Sequence, residues 1–307
     1  MCLFALALAG PLVVPGHAAP ASAAPRSNQG ITALSAAQVA TYRPYTFFAS
    51  TGYCPANFTL TWSCGVNCLA NSDFQPIASG GDGELVQYWF VGYSPSLKRV
   101  IVVHEGTRLE SIVSMLTDVS LLQTTLTSAL FPGIGYGIAV HSGFALEHAR
   151  TASNVLAAVK TGLAKYGASH VTVVDHSLVS GALALLDSVY LPLHLPASVK
   201  FITVAYGLPR ARIVGNQAFA DYVDAHLSLT HINNQEDIVP SIPPQFLLVA
   251  DYRHPAGEIH IQASGEWDAC PGQENDSELC SAGDVPNIWR ALFQTTWVRT
   301  TGWRSLA

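Results

Sequence analysis

One segment of the chain combines a nucleophile with a backbone geometry that could activate it. Residues 171–174 are apolar and predict a buried strand, and Asp175-His176-Ser177-Leu178 follows directly before a predicted helix. A serine on a sharp strand-to-helix turn is raised above the sheet edge, where its hydroxyl can attack a carbonyl carbon. The next backbone N–H and the helix N-terminus then face the developing oxyanion. The pattern predicts acyl transfer by Ser177; a serine that only caps the helix is the alternative.

Two further segments carry groups that such a serine needs. Residues 104–107, His-Glu-Gly-Thr, end a second apolar strand, where a second oxyanion donor is expected from a strand–helix loop. Asp237 follows another predicted strand, and serine before acid is the chain order of α/β-hydrolases. Taken alone, Asp237 is only a loop carboxylate, and such groups are usually solvated. The three segments together favour hydrolase chemistry.

Strands and helices alternate around these segments. The predicted strands are 86–91, 99–104, 171–174, 201–206 and 227–232, and the predicted helices are 149–166, 182–190 and 216–225. Residues 109–130 form an apolar-rich amphipathic stretch instead of a strand. This alternation predicts an α/β protein with one domain, whose mostly parallel central sheet is covered by helices.

These motifs resemble those of the class 3 fungal lipases, close to the Rhizomucor-type triacylglycerol lipases and especially their basidiomycete relatives. The resemblance covers about residues 42–288 and implies the α/β-hydrolase fold. It rests on the segments 174–178, 206–210, 214–216, 233–240, 254–258 and 270–273.

The resemblance implies a role for each matching position. Ser177 would be the nucleophile and Asp237 the acid that orients a triad histidine. The oxyanion hole would be formed by Thr107 and the backbone N–H of Leu178. Residues 111–118 would form a lid that covers the site until a lipid surface opens it. The implied reaction is a two-step hydrolysis through an acyl-enzyme, without cofactor or metal.

The chain departs from the family pattern at the elbow and near the C-terminus. The family elbow reads Gly-His-Ser-Leu-Gly, but Asp175 and Val179 stand where its small residues belong, and we expect them to strain the turn. All eleven histidines lie at or before His260, whereas the family takes its catalytic histidine from a later segment. We therefore predict that the triad histidine is absent. His254 and His260 are expected to be ordinary structural histidines, and they lack a third ligand for a metal.

Residues 289–307 do not match the family pattern. A shift of reading frame, starting in the codon of Gln294, could encode Asp-His-Val-Gly-Ala-Tyr-Asp-Gly-Val, which resembles the family's catalytic-histidine segment. We hypothesise a reading-frame error there, because it would explain both the absent histidine and an unpaired cysteine. Sequencing the transcript across codons 285–307 tests the hypothesis.

Composition and the N-terminus indicate an exported protein. Of 307 residues, 49% are hydrophobic and 12% charged, and the net charge is −6 without a basic run, which argues against disorder and nucleic-acid binding. Residues 1–24 predict a signal peptide and 25–41 a flexible leader. No other stretch is long enough to span a bilayer. The sequons at Asn57 and Asn275 are compatible with glycosylation. We expect a secreted monomer acting on an ester at a lipid–water interface.

The cysteine count is odd once the signal peptide has removed one cysteine. Cys64 with Cys68 and Cys270 with Cys280 are close enough in sequence to form two local bridges. Cys54 is then a reactive thiol, a partner in an intermolecular bridge, or a residue whose partner is missing.

Two other functions fit the same residues. An esterase of this fold could act on feruloyl or other plant-wall esters, because lid and pocket decide the substrate and motif spacing does not. A lipase-fold protein without useful activity would fit the absent histidine. Its oxyanion hole and binding alone would leave an acceleration of roughly 10³–10⁴ over water.

Overall fold

The computed structural model describes residues 30–107, 122–209, 214–237, 239–241 and 254–285. The strands in this part of the chain are β1 (Thr32–Ala33), β2 (Gln75–Gly80), β3 (Trp89–Ser94), β4 (Arg99–His104), β5 (Gln123–Thr125), β6 (Ala139–His141), β7 (His170–His176), β8 (Lys200–Tyr206), β9 (Leu229–Asn234), β10 (Glu258–Ile261) and β11 (Trp267–Cys270). The helices are α1 (Ala36–Ala40), α2 (Arg43–Thr51), α3 (Ala56–Leu60), α4 (Gly65–Ala70), α5 (Ser142–Tyr166), α6 (Leu178–Leu193), α7 (Gln217–His226) and α8 (Ser281–Asp284). A short 3₁₀ turn covers Val239–Ser241.

Nine strands form one mixed sheet in the order β1-β11-β10-β9-β8-β7-β4-β3-β2. The five strands from β4 to β10 in that order run parallel, and the strands at both edges pair antiparallel. Strands β5 and β6 form a separate antiparallel pair. The predicted fold class is therefore confirmed: the chain is an α/β-hydrolase fold with a largely parallel central sheet.

The central strands are apolar because both faces of the sheet are covered. In β4 and β7, Val100 pairs with Val171 and Val103 with Val174, and all four side chains are fully buried. Helices α5 and α6 pack on one face of the sheet and the aromatic side chains of α2 on the other. Burying one such side chain contributes roughly 1.5–3 kcal/mol. This core supports the carboxyl ends of β4 and β7, which carry the candidate site residues predicted from the sequence.

The domain begins earlier than the predicted boundary at residue 42. Strand β1 and helix α1 lie within the predicted leader, and β1 pairs with β11. Ser35 and Gln38 form a capping box at the start of α1, which explains why a segment rich in alanine and serine is helical. The predicted signal peptide, the lid at 111–118 and the tail at 289–307 lie outside the described residues. Within the described part of the chain, no helix is both long and apolar enough to cross a bilayer.

One predicted disulfide is confirmed and the other is wrong. Cys270 is bonded to Cys280, as predicted, but Cys64 is bonded to Cys54 and not to Cys68. The turn between α2 and α3 brings Cys54 within 6.4 Å of Cys64, Cα to Cα. Cys68 is a buried thiol whose sulfur accepts a hydrogen bond from the Cys64 N–H at 3.2 Å. Proximity in sequence did not decide the pairing, because the folded turn brings Cys54, at a sequence separation of 10, within bonding distance of Cys64.

Candidate active site

Ser177 forms the turn between the end of β7 and the first residue of α6. Its backbone has φ 77° and ψ −166°, and its side chain is 4% exposed. The Ser177 N–H donates to the carbonyl oxygen of Tyr206 at 2.8 Å, and its own carbonyl accepts from the Gly181 N–H at 3.1 Å. A positive φ costs a residue other than glycine on the order of 1–3 kcal/mol. The neighbouring strand and helix therefore hold Ser177 in a strained turn, as a nucleophile elbow requires.

The loop after β4 is fastened to the start of α6. The Val179 N–H donates to Oγ1 of Thr107 at 3.0 Å, and Oγ of Ser180 donates to the carbonyl of His104 at 2.9 Å. Thr107 is buried. Leu178 is the first residue of α6, so its N–H has no carbonyl partner within the helix. The structure thus brings Thr107 and Leu178, the two predicted oxyanion donors, to the same turn as Ser177.

Gly106 allows this loop to approach β7 closely. A Cβ at this position would overlap both the Tyr53 hydroxyl and the carbonyl oxygen of His176. The Tyr53 hydroxyl in turn lies 2.6 Å from Nδ1 of His176. Burial lowers the pKa of His176 to about 4, so its ring is neutral at pH 7. His176 is next to Ser177 in sequence, but its ring serves to join the elbow to Tyr53.

Asp237 lies at the same edge of the sheet. Its Oδ1 accepts the Val239 N–H at 3.0 Å, and burial raises the pKa of Asp237 to about 6 against the opposing effect of that bond. A Cβ at Gly207, whose φ is 60°, would lie 3.0 Å from Oδ2 of Asp237. Gly207 directly follows Tyr206, whose carbonyl holds the Ser177 N–H. Asp237 is therefore placed beside the turn that carries the serine.

The rings of the two late histidines face backbone carbonyls and a carboxyl group. Nε2 of His254 lies 3.3 Å from the Leu208 carbonyl, and Nδ1 of the same ring lies 3.3 Å from Glu274. His260 is buried in β10, and its two ring nitrogens lie 3.1 Å from the carbonyls of Gln235 and Leu279. Among the described residues, no histidine ring is hydrogen bonded to Ser177 or Asp237. The described residues also contain no group of three metal-ligating side chains.

Comparison with known proteins identifies chains of similar fold. Residues 101–247 match the family described as lipase (class 3). The structure of Rhizomucor miehei triacylglyceride lipase superposes with a TM-score of 0.70 at 25% identity, covering 86% of this chain and 96% of that one. Lipase II from Rhizopus niveus gives a TM-score of 0.70 at 26% identity, covering 83% and 92%. The chain has the fold of a fungal class 3 lipase. The resemblance seen in the sequence is thereby confirmed at the level of the fold.

A curated relative extends the comparison within the class 3 lipases. The secreted alkaline triacylglycerol lipase of Penicillium cyclopium is 29% identical over 199 residues, which are 64% of this chain and 65% of that protein. The match thus spans slightly less than two thirds of the relative. Over that region the chain is similar to a triacylglycerol lipase. The matched region of the family, 101–247, contains Thr107, Ser177, Leu178 and Asp237.

Next to the loop after β4, the fold contains a buried polar cluster that the sequence analysis did not find. Nε2 of His104 lies 2.7 Å from Oδ2 of Asp187, and Nε2 of His148 lies 2.9 Å from Oδ1. All three side chains are fully buried. Despite the cost of burial, the two histidine hydrogen bonds hold the pKa of Asp187 at about 2. The cluster therefore contains a carboxylate that links β4, α5 and α6.

A signal for this cluster is present in the sequence. Asp187 stands in the middle of a run of apolar residues, and a charged side chain on a buried helix requires a buried partner. His104 is the last residue of an apolar strand, and His148 occupies a buried position of α5. The sequence could indicate that Asp187 is paired, but only the fold brings these two histidines to it.

Asp175 is accommodated beside the elbow without unusual backbone torsion. Positive φ occurs at Ser177 but at neither Asp175 nor Val179. The Asp175 side chain is buried, and neither carboxyl oxygen has a hydrogen-bond partner among the described residues. Burial alone raises the pKa of Asp175 well above its usual value. A Cβ at Gly181 would lie 2.8 Å from Leu208 but 3.4 Å from this carboxyl group, so this glycine of α6 makes room mainly for Leu208. At Asp175, the departure from the family pattern therefore produces a buried carboxyl group without a hydrogen bond, and not a distorted backbone.

Proposed function

We propose that this chain is a secreted carboxylic-ester hydrolase acting on acylglycerols, with Ser177 as its nucleophile. One observation carries the proposal: a serine with φ 77° between a buried strand and a buried helix, beside Thr107 and the Leu178 N–H. A serine that only capped the helix would accept a hydrogen bond from the first turn, and the Ser177 side chain makes no such bond.

The positions of these groups support an acyl-transfer mechanism. The Ser177 hydroxyl attacks the ester carbonyl, whose oxygen becomes negatively charged and is held by the Leu178 N–H. Oγ1 of Thr107 already accepts the Val179 N–H, so its hydrogen is left to donate to the same oxyanion. The alcohol leaves with a proton, and water then releases the fatty acid from the serine. Asp237 would orient the histidine that carries the proton.

In the described part of the chain, no group is placed to perform the proton transfer. No histidine of the described residues bonds to Ser177 or Asp237, and the sequence after His260 contains none. We therefore propose that turnover is impaired. Without a general base, the oxyanion hole and substrate binding would leave about 10³–10⁴-fold acceleration over water. A lipase-fold protein with no useful activity is the alternative, and the same observation favours it.

Acylglycerols are the preferred substrates because the matching proteins are described as triacylglycerol lipases. Three large apolar side chains, Leu85, Leu122 and Leu146, are exposed, which suits contact with a lipid surface. Export is supported by the two disulfides and by the secreted relative. A feruloyl-type esterase of the same fold is the competing assignment.

Hydrolysis with and without an interface separates these assignments. We define the histidine-restored chain as the full sequence in which residues 295–303 are replaced by Asp-His-Val-Gly-Ala-Tyr-Asp-Gly-Val. It should hydrolyse emulsified medium- and long-chain triacylglycerols faster than a soluble feruloyl ester, and at least about 10³-fold faster than the unaltered chain. Ser177→Ala should abolish the activity. Preference for the feruloyl ester would favour the esterase, and activity that persists in Ser177→Ala would refute the nucleophile.

A further inference from the structure

Exposed apolar side chains are concentrated on the short helices α3 and α4. Of the eight large hydrophobic side chains that are most exposed in the described part of the chain, four lie between residues 58 and 69. They are Phe58 at 46%, Leu60 at 50%, Val66 at 74% and Leu69 at 72%. We call these four the α3–α4 apolar surface. The Cys54–Cys64 disulfide fixes the position of the chain immediately before α4. A concentration of exposed apolar side chains marks a surface that contacts another group.

The same surface contains one of the two glycosylation sequons. Asn57-Phe58-Thr59 lies within α3, and Asn57 is exposed. Its side-chain amide makes no hydrogen bond within the described residues. Asn57 and Leu60 are three positions apart and therefore share a face of the helix. A sugar attached to Nδ2 of Asn57 would begin beside Phe58 and Leu60 on the same helix.

In the second sequon, the side chain of Asn275 is hydrogen bonded within its own loop. Asn275 lies in the loop closed by the Cys270–Cys280 disulfide. Its Nδ2 donates to the carbonyl of Pro271 at 3.1 Å, and its Oδ1 accepts the Ser277 N–H at 3.1 Å. Both ends of this amide are therefore turned towards the loop, and Asn275 is only partly exposed, whereas Asn57 is exposed. A sugar on Nδ2 would have to fit beside the contact to Pro271.

From these two environments we infer that Asn57 carries an N-linked glycan that covers the α3–α4 apolar surface, whereas Asn275 is unmodified. The inference rests on the proposed export, because the modification is made in the secretory pathway. The transfer forms an N-glycosidic bond between the anomeric carbon of the sugar and Nδ2, breaks the sugar–phosphate bond of a lipid-linked oligosaccharide, and releases the lipid diphosphate and one Nδ2 proton. The occupant of this surface is thus a sugar chain that the protein itself anchors.

The test uses the full chain behind an established yeast secretion signal, so that entry into the pathway does not depend on residues 1–24. Intact mass is measured before and after treatment with peptide-N-glycosidase, for the unaltered chain, Asn57→Gln and Asn275→Gln. Asn57→Gln is preferred to a change at Thr59, whose buried hydroxyl donates to the Ala56 carbonyl. We expect one glycan, lost in Asn57→Gln and kept in Asn275→Gln. An unglycosylated chain, or a glycan on Asn275, would overturn the inference.

A separate measurement tests whether the glycan covers the α3–α4 apolar surface. The Asn57→Gln chain should bind more of a hydrophobic dye and precipitate at lower concentration than the glycosylated chain. Adding Val66→Ser and Leu69→Ser to it should reverse both effects, because the glycan is then no longer needed. Equal dye binding with and without the glycan would show that the sugar does not cover this surface. None of these measurements depends on ester hydrolysis, so their failure is distinct from failure of the proposed function.

Discussion

The backbone N–H of Val179 donates a hydrogen bond to Oγ1 of Thr107 at 3.0 Å. This bond joins the loop after β4 to the first turn of α6, two residues after Ser177. It orients the threonine hydroxyl and satisfies one of the helix amides that have no partner within the helix. The candidate oxyanion hole is therefore held together by the same helix that carries the serine.

Replacing Thr107 by valine tests this relationship. The change keeps the shape of the side chain but removes the hydroxyl, so one oxyanion donor is lost and the Val179 N–H loses its acceptor. In the histidine-restored chain we expect kcat to fall about 10²–10³-fold with little change in KM. Thr107→Ser keeps the hydroxyl and should retain most of the activity. Equal kcat values for Thr107→Val and the parent chain would exclude a role for this hydroxyl.

The cluster of His104, Asp187 and His148 predicts a large effect on stability. Asp187→Leu leaves two buried imidazole N–H groups without an acceptor, and each such group costs about 1–3 kcal/mol. Urea denaturation should show a lower free energy of unfolding, whereas Glu84→Gln, at an exposed position, should change it little.

The pH dependence of this cluster has a definite sign. The pKa of Asp187 is depressed to about 2 in the folded chain, so its contribution is complete above the ordinary carboxyl pKa. The contribution is lost as pH falls from about 4 towards 2. The stability difference between the parent chain and Asp187→Leu should shrink over that range. A difference that stays constant would mean that the carboxylate is not ionised in the fold.

Asp175 predicts the opposite behaviour. Its pKa is raised in the folded chain by burial, so the folded state favours the protonated acid. Stability is highest below the ordinary carboxyl pKa and is lost as pH rises towards the folded pKa. Asp175→Asn cannot ionise and should be more stable than the parent chain at pH 8, with a smaller advantage at pH 4. Chemical denaturation at both pH values provides the comparison, and a parent chain more stable at pH 8 would contradict it.

The disulfide pairing predicts which thiol is protected. Burial raises the pKa of Cys68, and the side chain is 2% exposed, so the native protein should react slowly with iodoacetamide. In denaturant without reductant, Cys68 should be alkylated rapidly, while Cys54 and Cys64 remain linked. Peptide mapping without reduction reports all three cysteines. A peptide linked through Cys64 and Cys68 would show that the pairing in the structure is wrong.

The parts of the fold that sequence predicted are those whose physical signal is local. Strand β4 has the predicted bounds because a short, continuous run of apolar residues is typical of a strand buried on both faces. Helix α6 begins at Leu178, four residues before its predicted start, because the elbow places the helix directly after the serine. Strand β10 was missed because buried polar side chains, Glu258 and His260, interrupt its apolar pattern. Their partners, Ser281 and the Gln235 carbonyl, are distant in sequence.

The candidate site also has one part that could be predicted from local sequence and another part that could not. The strand, serine and helix of the elbow are continuous in sequence, so the turn at Ser177 could be predicted from residue order alone. Cys54 and Asp187 could not be assigned partners, because those partners are set by how the helices pack. Thr107 and Asp237 were placed by resemblance to a family, and the structure brings both to the edge of the sheet that carries Ser177.

The identity of the nucleophile is decided by the reaction of Ser177 with a fluorophosphonate, followed by intact mass and peptide mapping. We predict one adduct, on Ser177. It should form in the histidine-restored chain at least about a hundredfold faster than in the unaltered chain, because a general base accelerates such a reaction by about 10²–10⁴-fold. Ser177→Ala should give none. An adduct on another serine, or no adduct in either chain, would contradict the assignment of Ser177 as the nucleophile.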